Sequence, residues 1–332
     1  MNARVKSLVS LGYTDNQAAF LELGALGSGY FLRKQFNEYI ERRCGALGQA
    51  FVERALEKQH IRLIEVLGGR RLYHTFGHSL FRALGDENNR NRRSHQAQTI
   101  RRRLMALDYC VSNRACQWLL TEREKVSFFR SQGVPDSDLP SETFGGAKRF
   151  FIDKQPLSVD DKGNPTLVFV DEGLKALSQW ELFLRSHRAL IQRLQQTAVV
   201  YAGFQPERFV AAERMFGRII TGETAVGAFD IGRLKRFFDA RKLFEARDYA
   251  NFDQLRLDQF REDRKVFTGE RVDALYGSWL VAGDTVLAPV RASRVSFRTY
   301  QLKQAYEWLS PVYGEERRGG DALNSIASKA GS

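Results

Sequence analysis

Residues 46–76 decide the N-terminal fold, and they read ALGQAFVERALEKQHIRLIEVLGGRRLYHTF. In the first part, apolar residues recur at spacings of three and four, which predicts a helix over 46–58. Over 60–76 the apolar residues tend to alternate, and Gly68–Gly69 supply a tight turn, which predicts a β-hairpin. The stretch therefore predicts a helix followed directly by a hairpin that carries Arg70–Arg71 beside its turn.

Two further helices are predicted before this stretch. Thr14 and Asp15 can cap a helix that runs to about residue 26, and a shorter helix is expected over 32–40. Two short helices joined by a tight turn form the helix-turn-helix pattern, to which the hairpin adds a wing. We therefore expect residues 1–85 to form a winged helix-turn-helix, whose third helix is narrow enough to enter the major groove of DNA.

The polar side chains of this predicted module suit double-stranded DNA. Arginine donates forked hydrogen bonds to phosphate, and Gln and Arg can read the edges of adenine and guanine. Glu53 is unfavourable for insertion into a groove, and winged helices also serve as protein-interaction modules, so that alternative stays open. The residues expected to contact DNA are Arg42, Arg43, Gln49 and Arg54 on or beside the third helix, and Arg70 and Arg71 on the wing.

The positive charge is concentrated in the first third of the chain. The 332 residues carry 51 Lys and Arg against 39 Asp and Glu, a net charge of +12. Residues 1–110 hold +8 of this excess, residues 111–200 hold +1, and residues 201–332 hold +3. This excess favours a polyanionic partner, here double-stranded DNA. It adds five arginines of the following segment to the predicted interface: Arg90, Arg92, Arg93, Arg101 and Arg102.

Residues 86–118 are expected to form a basic helical connector. Ser94 can cap a helix whose apolar residues recur at spacings of three and four, namely Ala97, Ile100, Leu104, Leu107 and Val111. Two heptads fit two interpretations, packing against the chain's own core or pairing with a second copy through residues 94–111. A homodimer would suit DNA that offers paired half-sites.

Residues 119–205 are expected to form an α/β layer with helices packed on a sheet. The predicted elements are a helix over 121–132, strands over 148–159 and 166–170, a helix over 174–194 and a strand over 198–202.

Two carboxylates of this layer resemble the PD-(D/E)xK nuclease arrangement. Asp153 is placed on the first strand and Asp171 at the end of the second, and such carboxylates hold Mg²⁺ near a lysine two residues after the second acid. Gly173 stands where that lysine would be, and Ile152 where the motif has proline. An active nuclease, which alone would need Mg²⁺, a degenerate relative and an unrelated sheet remain alternatives, and an enzyme is the less favoured one. The candidate catalytic residues are Asp153, Asp171, Glu172 and Lys175.

The last third predicts mainly helices. Residues 206–312 are expected to be helical, with one hairpin over 280–290, and residues 313–332 are expected to be a disordered tail. Five phenylalanines are assigned to a core rather than to base stacking: Phe237, Phe238, Phe244, Phe252 and Phe260. The expected fold class is therefore α+β, a winged helix-turn-helix, a helical connector, a degenerate nuclease-like sheet and a helical C-terminal part.

The sequence argues against several other classes of protein. It contains no GxxxxGK[ST], GxGxxG, HExxH or GxSxG motif. Its three cysteines make neither a disulfide framework nor a CxxC zinc site, and no metal site is predicted. No apolar run approaches the roughly 20 residues of a membrane span, and Met1–Thr14 lacks the features of a secretory signal. We therefore expect a cytoplasmic protein without a membrane partner.

Over roughly residues 10–205, the chain resembles the replication-relaxation proteins of bacterial plasmids and integrative elements. The resemblance rests on the helix-turn-helix of Thr14–Lys58, the Gly68–Gly69 wing, Phe151-Ile152-Asp153 and Val170-Asp171-Glu172-Gly173. It implies a DNA-binding role in the replication, mobilisation or transcriptional control of a mobile element. The alternatives are an Mg²⁺-dependent nuclease and a non-catalytic subunit of a defence or conjugation assembly.

Overall fold

The computed structural model divides the chain into two compact units, one of Met1–Val210 with Val295–Ser332 and the other of Ala211–Arg294. Helices and strands are mixed, as expected for the α+β class. The division differs from the five predicted parts, because the chain returns to the first unit after residue 294. The structure describes residues 2–42, 45–66, 69–194, 196–221, 231–248, 253–287 and 295–309.

The first unit begins with four helices and a short strand. Thr14 caps the second helix in a capping box, since its hydroxyl accepts from the Gln17 amide while the Gln17 side chain accepts from the Thr14 amide. The helix predicted up to residue 26 changes to a π-helical turn over Leu23–Ser28. The elements are α1 Ala3–Ser10, α2 Asp15–Glu22, β1 Tyr30–Phe31, α3 Arg33–Tyr39 and α4 Ala46–Glu57.

The predicted hairpin is formed by β2 (Ile61–Val66) and β3 (Arg70–Thr75), which pair antiparallel. Strand β1 pairs with the other edge of β3, which gives a three-stranded sheet of order β1-β3-β2. At the turn, Gly68 lies outside the described residues, and Gly69 has a φ of 67°, a left-handed conformation that favours glycine.

Aromatic side chains from these elements meet in one core. Phe20 of α2, Phe36 of α3 and Phe51 of α4 are buried, and the rings of Phe36 and Phe51 stack with their centroids 4.2 Å apart. Phe31 of β1 stacks on Tyr73 of β3 at 5.4 Å. Burial of one such side chain is worth about 2–3 kcal/mol. The core therefore fixes α3, α4 and the hairpin against one another.

Helix α6 (Ala97–Ser112), which follows the short α5 (His78–Ala83), joins this core to the rest of the unit. Ile100 and Leu104 are buried in a cluster with residues of the large sheet, and Leu107 and Val111 are buried in the N-terminal core. The apolar residues of α6 are thus buried against other parts of the same chain. This is the first of the two interpretations of the apolar spacing, packing against the chain's own core, and a homodimer through residues 94–111 stays a prediction.

A five-stranded sheet follows α6, with the order β10-β9-β8-β7-β4. Strands β8, β9 and β10 are parallel, whereas β7 is antiparallel to both of its neighbours. A separate two-stranded hairpin, β5–β6, precedes β7. The elements are β4 Gln117–Trp118, α7 Glu122–Ser131, β5 Ser141–Phe144, β6 Ala147–Phe150, β7 Leu157–Val159, β8 Pro165–Asp171, α8 Ser178–Arg193, β9 Thr197–Gly203 and β10 Val295–Gln301.

The strand predicted over 148–159 is interrupted, so Asp153 does not lie on a strand. Strand β6 ends at Phe150 and β7 begins at Leu157. In the connecting loop, Phe151 and Lys154 adopt left-handed conformations with φ of 49° and 52°. Pro156 favours an extended residue before it and cannot donate to a sheet, which supports an interruption here.

Strand β10 corrects the prediction of a helical part over 206–312. It pairs with β9 from Val295 opposite Thr197 to Gln301 opposite Gly203, and a 3-10 turn at Glu307–Leu309 follows it. Its partner strand lies about 90 residues earlier in the chain, so the local pattern of apolar residues cannot predict which strand it pairs with.

The second unit is helical in its described residues and has its own core. The core gathers Leu234, Phe237, Phe238, Phe260, Phe267, Val272, Tyr276, Trp279 and Leu287. Phe237, Phe238 and Phe260 are buried as predicted, Phe244 packs partly buried against them, and Phe252 lies outside the described residues. The hairpin expected at Gly283–Asp284 is wrong, because a helix runs up to that point and a 3-10 turn follows it. The helices are α9 Phe209–Phe216, α10 Ile231–Glu245, α11 Gln254–Val266 and α12 Glu270–Ala282.

Candidate nucleic-acid interface and carboxylate cavity

The hairpin places Arg70 and Arg71 in exposed positions at the start of β3. Arg71 stands opposite Glu65 in the register, and the guanidinium of Arg70 lies 5.7 Å from the ring centre of Trp308. Both guanidinium groups lie at the turn end of the hairpin, where a long ligand such as a nucleic-acid strand can reach them.

Helix α3 brings a further arginine to the same surface. Arg33, the first residue of α3, and Arg71 of the hairpin both lie close enough to the Tyr73 hydroxyl to oppose the rise that burial causes in its pKa. Arg71 also forms a hydrogen bond with that hydroxyl. The start of α3 and the start of β3 therefore carry one basic surface. The sequence did not single out Arg33, and only the contact between β3 and α3 reveals it.

The two residues of α4 expected to read bases are engaged within the protein. The Gln49 amide accepts from Arg33 at 2.5 Å and donates to Glu53 at 2.6 Å. The Arg54 guanidinium donates to the main-chain oxygen of Gly12 at 2.9 Å and to the Gln17 side chain at 3.2 Å. Arg54 therefore secures α4 to the turn before α2.

The exposed face of α4 is poor in cations. It presents Leu47, which is 58% exposed, together with Ala50, Glu53 and Glu57. Arg42, just after α3, is exposed, and Arg43 lies outside the described residues. Basic groups thus flank α4 rather than cover it.

The connector arginines divide into exposed and internal groups. Arg90 and Arg93 are exposed. Arg92 is partly buried and donates to the main-chain oxygens of Phe76, at 3.2 Å, and Glu87, at 2.7 Å. Arg92 therefore holds the connector against the end of the hairpin.

Arg101 is not available to DNA, contrary to the prediction. It is only 4% exposed, and its guanidinium donates to the main-chain oxygens of Ala305, at 2.5 Å, and Glu172, at 2.9 Å. The α6 positions that face the core set this orientation. Its neighbour Arg102 is partly exposed and lies 3.8 Å from the Glu172 carboxylate, so its charge is partly balanced.

The four candidate catalytic residues line one cavity of about 330 Å³. Asp171 ends β8 and Glu172 follows it, so both lie at the carboxyl end of a parallel strand, where α/β sheets commonly bind ligands. Asp153 reaches the cavity from the loop before β7, and Lys175 from the segment before α8. The structure therefore brings the four candidate side chains to the lining of one cavity.

Asp171 is already paired with a cation. Its Oδ2 accepts from the Arg208 guanidinium at 2.9 Å and from the Tyr201 hydroxyl, and its Oδ1 accepts from the Gly173 amide at 3.0 Å. Arg208 lies outside the motif, and no local pattern singled it out. The guanidinium would therefore compete with any other cation for this carboxylate oxygen.

The other carboxylates of the cavity do not complete a metal site. Asp153 accepts from the Gln155 amide at 3.1 Å and lies 3.6 Å from His187, whose pKa is lowered by burial. Burial raises the pKa of Glu172, and its Oε2 is buried without a hydrogen-bond partner. Within the described residues, no three His, Cys, Asp or Glu side chains are placed to bind one ion.

None of the helices within the described residues combines the length and apolar character that a membrane crossing requires. In comparisons with known proteins, no family model matches the chain, and no curated protein and no solved structure shows significant similarity to it.

Proposed function

We propose that the protein binds double-stranded DNA through residues 14–75, acting as a winged helix. The order helix, strand, two helices and hairpin, with a sheet of order β1-β3-β2, supports this proposal. The aromatic core supports it further, because it holds α3, α4 and the hairpin as one rigid body that can dock on a duplex without rearrangement.

The observation that carries the proposal is the basic surface shared by α3 and the hairpin. Arg33 begins α3, where one of its N–H groups donates to Gln49, and Arg70 and Arg71 begin β3. All three residues are exposed, and the two elements are in contact. Guanidinium groups held on rigid elements suit forked hydrogen bonds to phosphate. Exposed Arg42 extends the set from the far end of α3.

The mode of binding that follows is dominated by the DNA backbone. Phosphate contacts supply affinity, whereas base contacts supply specificity. Since Gln49 and Arg54 are engaged internally and α4 exposes Leu47 and Glu53, few groups remain to read bases. We therefore propose salt-dependent binding with modest sequence preference. The process served, which is replication, mobilisation or transcriptional control of a mobile element, is proposed from the family resemblance alone.

A salt titration of duplex binding tests the proposal. The variant Arg70→Ala/Arg71→Ala removes two phosphate contacts, so the slope of log affinity against log salt should become shallower by about 1.8. The matched control is Arg185→Ala/Arg188→Ala, which removes two exposed arginines of α8 and the same charge. Fluorescence anisotropy with a 20-base-pair duplex measures both.

An equal loss in the two variants would assign binding to net charge and contradict the proposed surface. A protein that binds no duplex at low salt, but co-purifies with a partner protein, would instead favour the non-catalytic subunit. Either result would contradict the assignment of DNA contacts to the hairpin.

A second candidate is cleavage of DNA at the carboxylate cavity, favoured by the shared lining of Asp153, Asp171 and Lys175. The pairing of Asp171 with Arg208 weighs against it. We expect no cleavage of single-stranded, duplex or nicked DNA with Mg²⁺ or Mn²⁺, as followed on denaturing gels. Metal-dependent cleavage that disappears in Asp171→Ala would overturn this expectation.

A further inference from the structure

A second and larger cavity, of about 430 Å³, lies elsewhere in the first unit, and we call it the junction cavity. Helix α6, the π-helical turn, the start of α7 and the loop between β6 and β7 enclose it. Its volume falls in the range of sites for small organic molecules. A neighbouring recess of about 180 Å³ shares Gly27, Arg90, Ala106, Ile152, Lys154 and Gln155 with it.

One end of the junction cavity is rich in cations. Arg90, Lys125 and Lys154 line the cavity, and Arg103 lines the adjoining recess. Burial, followed by Arg103, Arg90 and Lys125, lowers the pKa of Lys154 to about 8, and Asp86 opposes them. Burial and the nearby Arg103 and Lys154 likewise lower the pKa of His95 to about 4. The cations therefore repel one another at this end.

Neutral oxygens, rather than carboxylates, meet these cations. Lys154 donates to the Asn91 side chain at 3.1 Å, Arg103 to the Ser28 main-chain oxygen at 3.2 Å, and Lys125 to the Gln155 main-chain oxygen at 2.7 Å. Within the described part of the chain, no carboxylate lies within ion-pair distance of these three groups. Lys125 and Arg103 are buried, whereas Lys154 is exposed. The carboxylates of Asp86, Glu122 and Asp153 line the same two spaces, but the basic side chains there outnumber them, which favours an anionic ligand.

The rest of the junction cavity is apolar and aromatic. Phe150, Phe151 and Trp118 line it, with Leu26 and Leu107 from the helical side. The indole Nε1 of Trp118 is buried and has no hydrogen-bond partner among the described residues. A buried donor without an acceptor costs free energy, and this nitrogen is turned away from solvent rather than towards a ligand. Aromatic walls suit a planar ring.

We propose that the junction cavity binds a nucleotide, with the phosphate at Lys154, Arg103 and Arg90 and the base against the aromatic wall near Trp118. The two features that carry this are the excess of basic over acidic side chains and the aromatic lining. The nucleotide is either a free mononucleotide or the 5′-phosphorylated end of a strand. This site is independent of the wing surface, so its failure and that of the proposed DNA binding are distinguishable.

Isothermal titration of the full chain with AMP, GMP, CMP, UMP and a 5′-phosphorylated tetranucleotide tests the site. We expect Lys154→Ala to weaken binding at least tenfold, because a charge-assisted bond to phosphate is lost. The control Lys162→Ala removes the same charge from the exposed turn between β7 and β8 and should bind as the parent does. Phe150→Ala removes a ring from the aromatic wall and should weaken binding roughly fivefold.

Proton linkage provides a second measurement. A bound phosphate raises the pKa of Lys154, so at pH 8 binding should take up a fraction of a proton, and Lys154→Ala should abolish this uptake. Titrations in two buffers of different ionisation enthalpy measure it. Binding of inorganic phosphate alone, equal binding by Lys154→Ala, or no binding at millimolar nucleotide would each overturn the proposal. Comparison of the mononucleotides with the 5′-phosphorylated tetranucleotide shows whether the site binds a free nucleotide or the end of a strand.

Discussion

Arg101 shows how the setting of one residue decides its role. Within an unbroken run of three arginines, the sequence gives Arg101, Arg102 and Arg103 the same chemistry. The helical turn separates them by about 100° each. Arg101 and Arg103 are buried and bind main-chain oxygens, whereas Arg102 is partly exposed. Charge counted along a sequence therefore overstates the charge available to a partner.

Asp108 links α6 to the C-terminal segment and should make stability depend on pH. Its carboxylate accepts from Gln35 at 2.7 Å and from the Tyr306 hydroxyl at 2.8 Å. Burial raises its pKa from 3.8 to about 6. The folded state holds the proton of Asp108 more tightly than the unfolded state does. The contribution of Asp108 to the free energy of unfolding is therefore lost as the pH rises from about 4 to about 6. The loss amounts to at most about 3 kcal/mol.

Asp108→Asn removes this titration. The difference in free energy of unfolding, parent minus variant, should therefore decrease as the pH rises from about 4 to about 6. Urea unfolding at pH 4, 5, 6 and 7 measures it. Asp160→Asn is the control of opposite sign, because hydrogen bonds from Asn164 lower the pKa of that exposed carboxylate. A parent-minus-variant difference that stays constant with pH for Asp108→Asn would contradict the assignment.

At the scale of elements, Gly77 permits the close approach between the end of the hairpin and the end of α4. A Cβ at Gly77 would lie 2.4 Å from the Gln59 main-chain oxygen and 2.7 Å from the His60 Cα. Both neighbours are backbone atoms, so neither can rotate away. Gly77→Ala should lower the free energy of unfolding by about 3 kcal/mol.

Gly24→Ala is the matched control in the same unit. Its nearest neighbour, Phe31 Cδ1, lies 3.8 Å from the added carbon, and Gly24 is helical, so the change should stay within about 1 kcal/mol in either direction. Thermal unfolding followed by circular dichroism compares the two. Equal stability of both variants would show that the hairpin end shifts freely.

Elements with local signals were predictable, and elements that depend on distant partners were not. The helix over 46–57 and the hairpin over 61–75 follow from periodicity and a Gly-Gly turn within the same stretch. The capping box of Thr121 and Glu124 likewise marks the start of α7. Strand β10 was missed because its partner is β9, and Arg208 was missed because it meets Asp171 only in the folded chain.

At the scale of the whole first unit, buried neutral histidines should make the protein labile to acid. Burial lowers the pKa of His60, His74 and His95 to about 4 each. His74 is fully buried, and the Arg62 guanidinium at 3.0 Å lowers its pKa further, whereas the hydrogen bond with the Asn91 main-chain oxygen at 2.8 Å opposes the shift. These groups contribute stability that is present above pH 6.5 and lost as the pH falls towards 4.

The three histidine shifts outweigh the opposite shift of Asp108. His74 corresponds to about 3 kcal/mol, and solvent screening makes the contributions of His60 and His95 smaller, in a protein whose total stability is on the order of 5–15 kcal/mol. Unfolding at pH 5.5 should therefore take up about two protons, obtained from the slope of unfolding free energy against pH. A free energy of unfolding that stays constant or increases as the pH falls from 6.5 to 5 would exclude buried neutral histidines.

The pairing of β9 with the distant strand β10 also leaves β9 uncovered for part of the protein's synthesis. Strand β9 is buried along its whole length in the finished protein, yet 91 residues separate its last residue, Gly203, from Val295, which begins the strand that covers it. At translation rates of 5–20 residues per second, the β9 edge stays open for on the order of ten seconds. An open apolar edge is a template for pairing with other chains. Slow translation of residues 204–294 would thus raise the yield of aggregate without changing any contact of the native state.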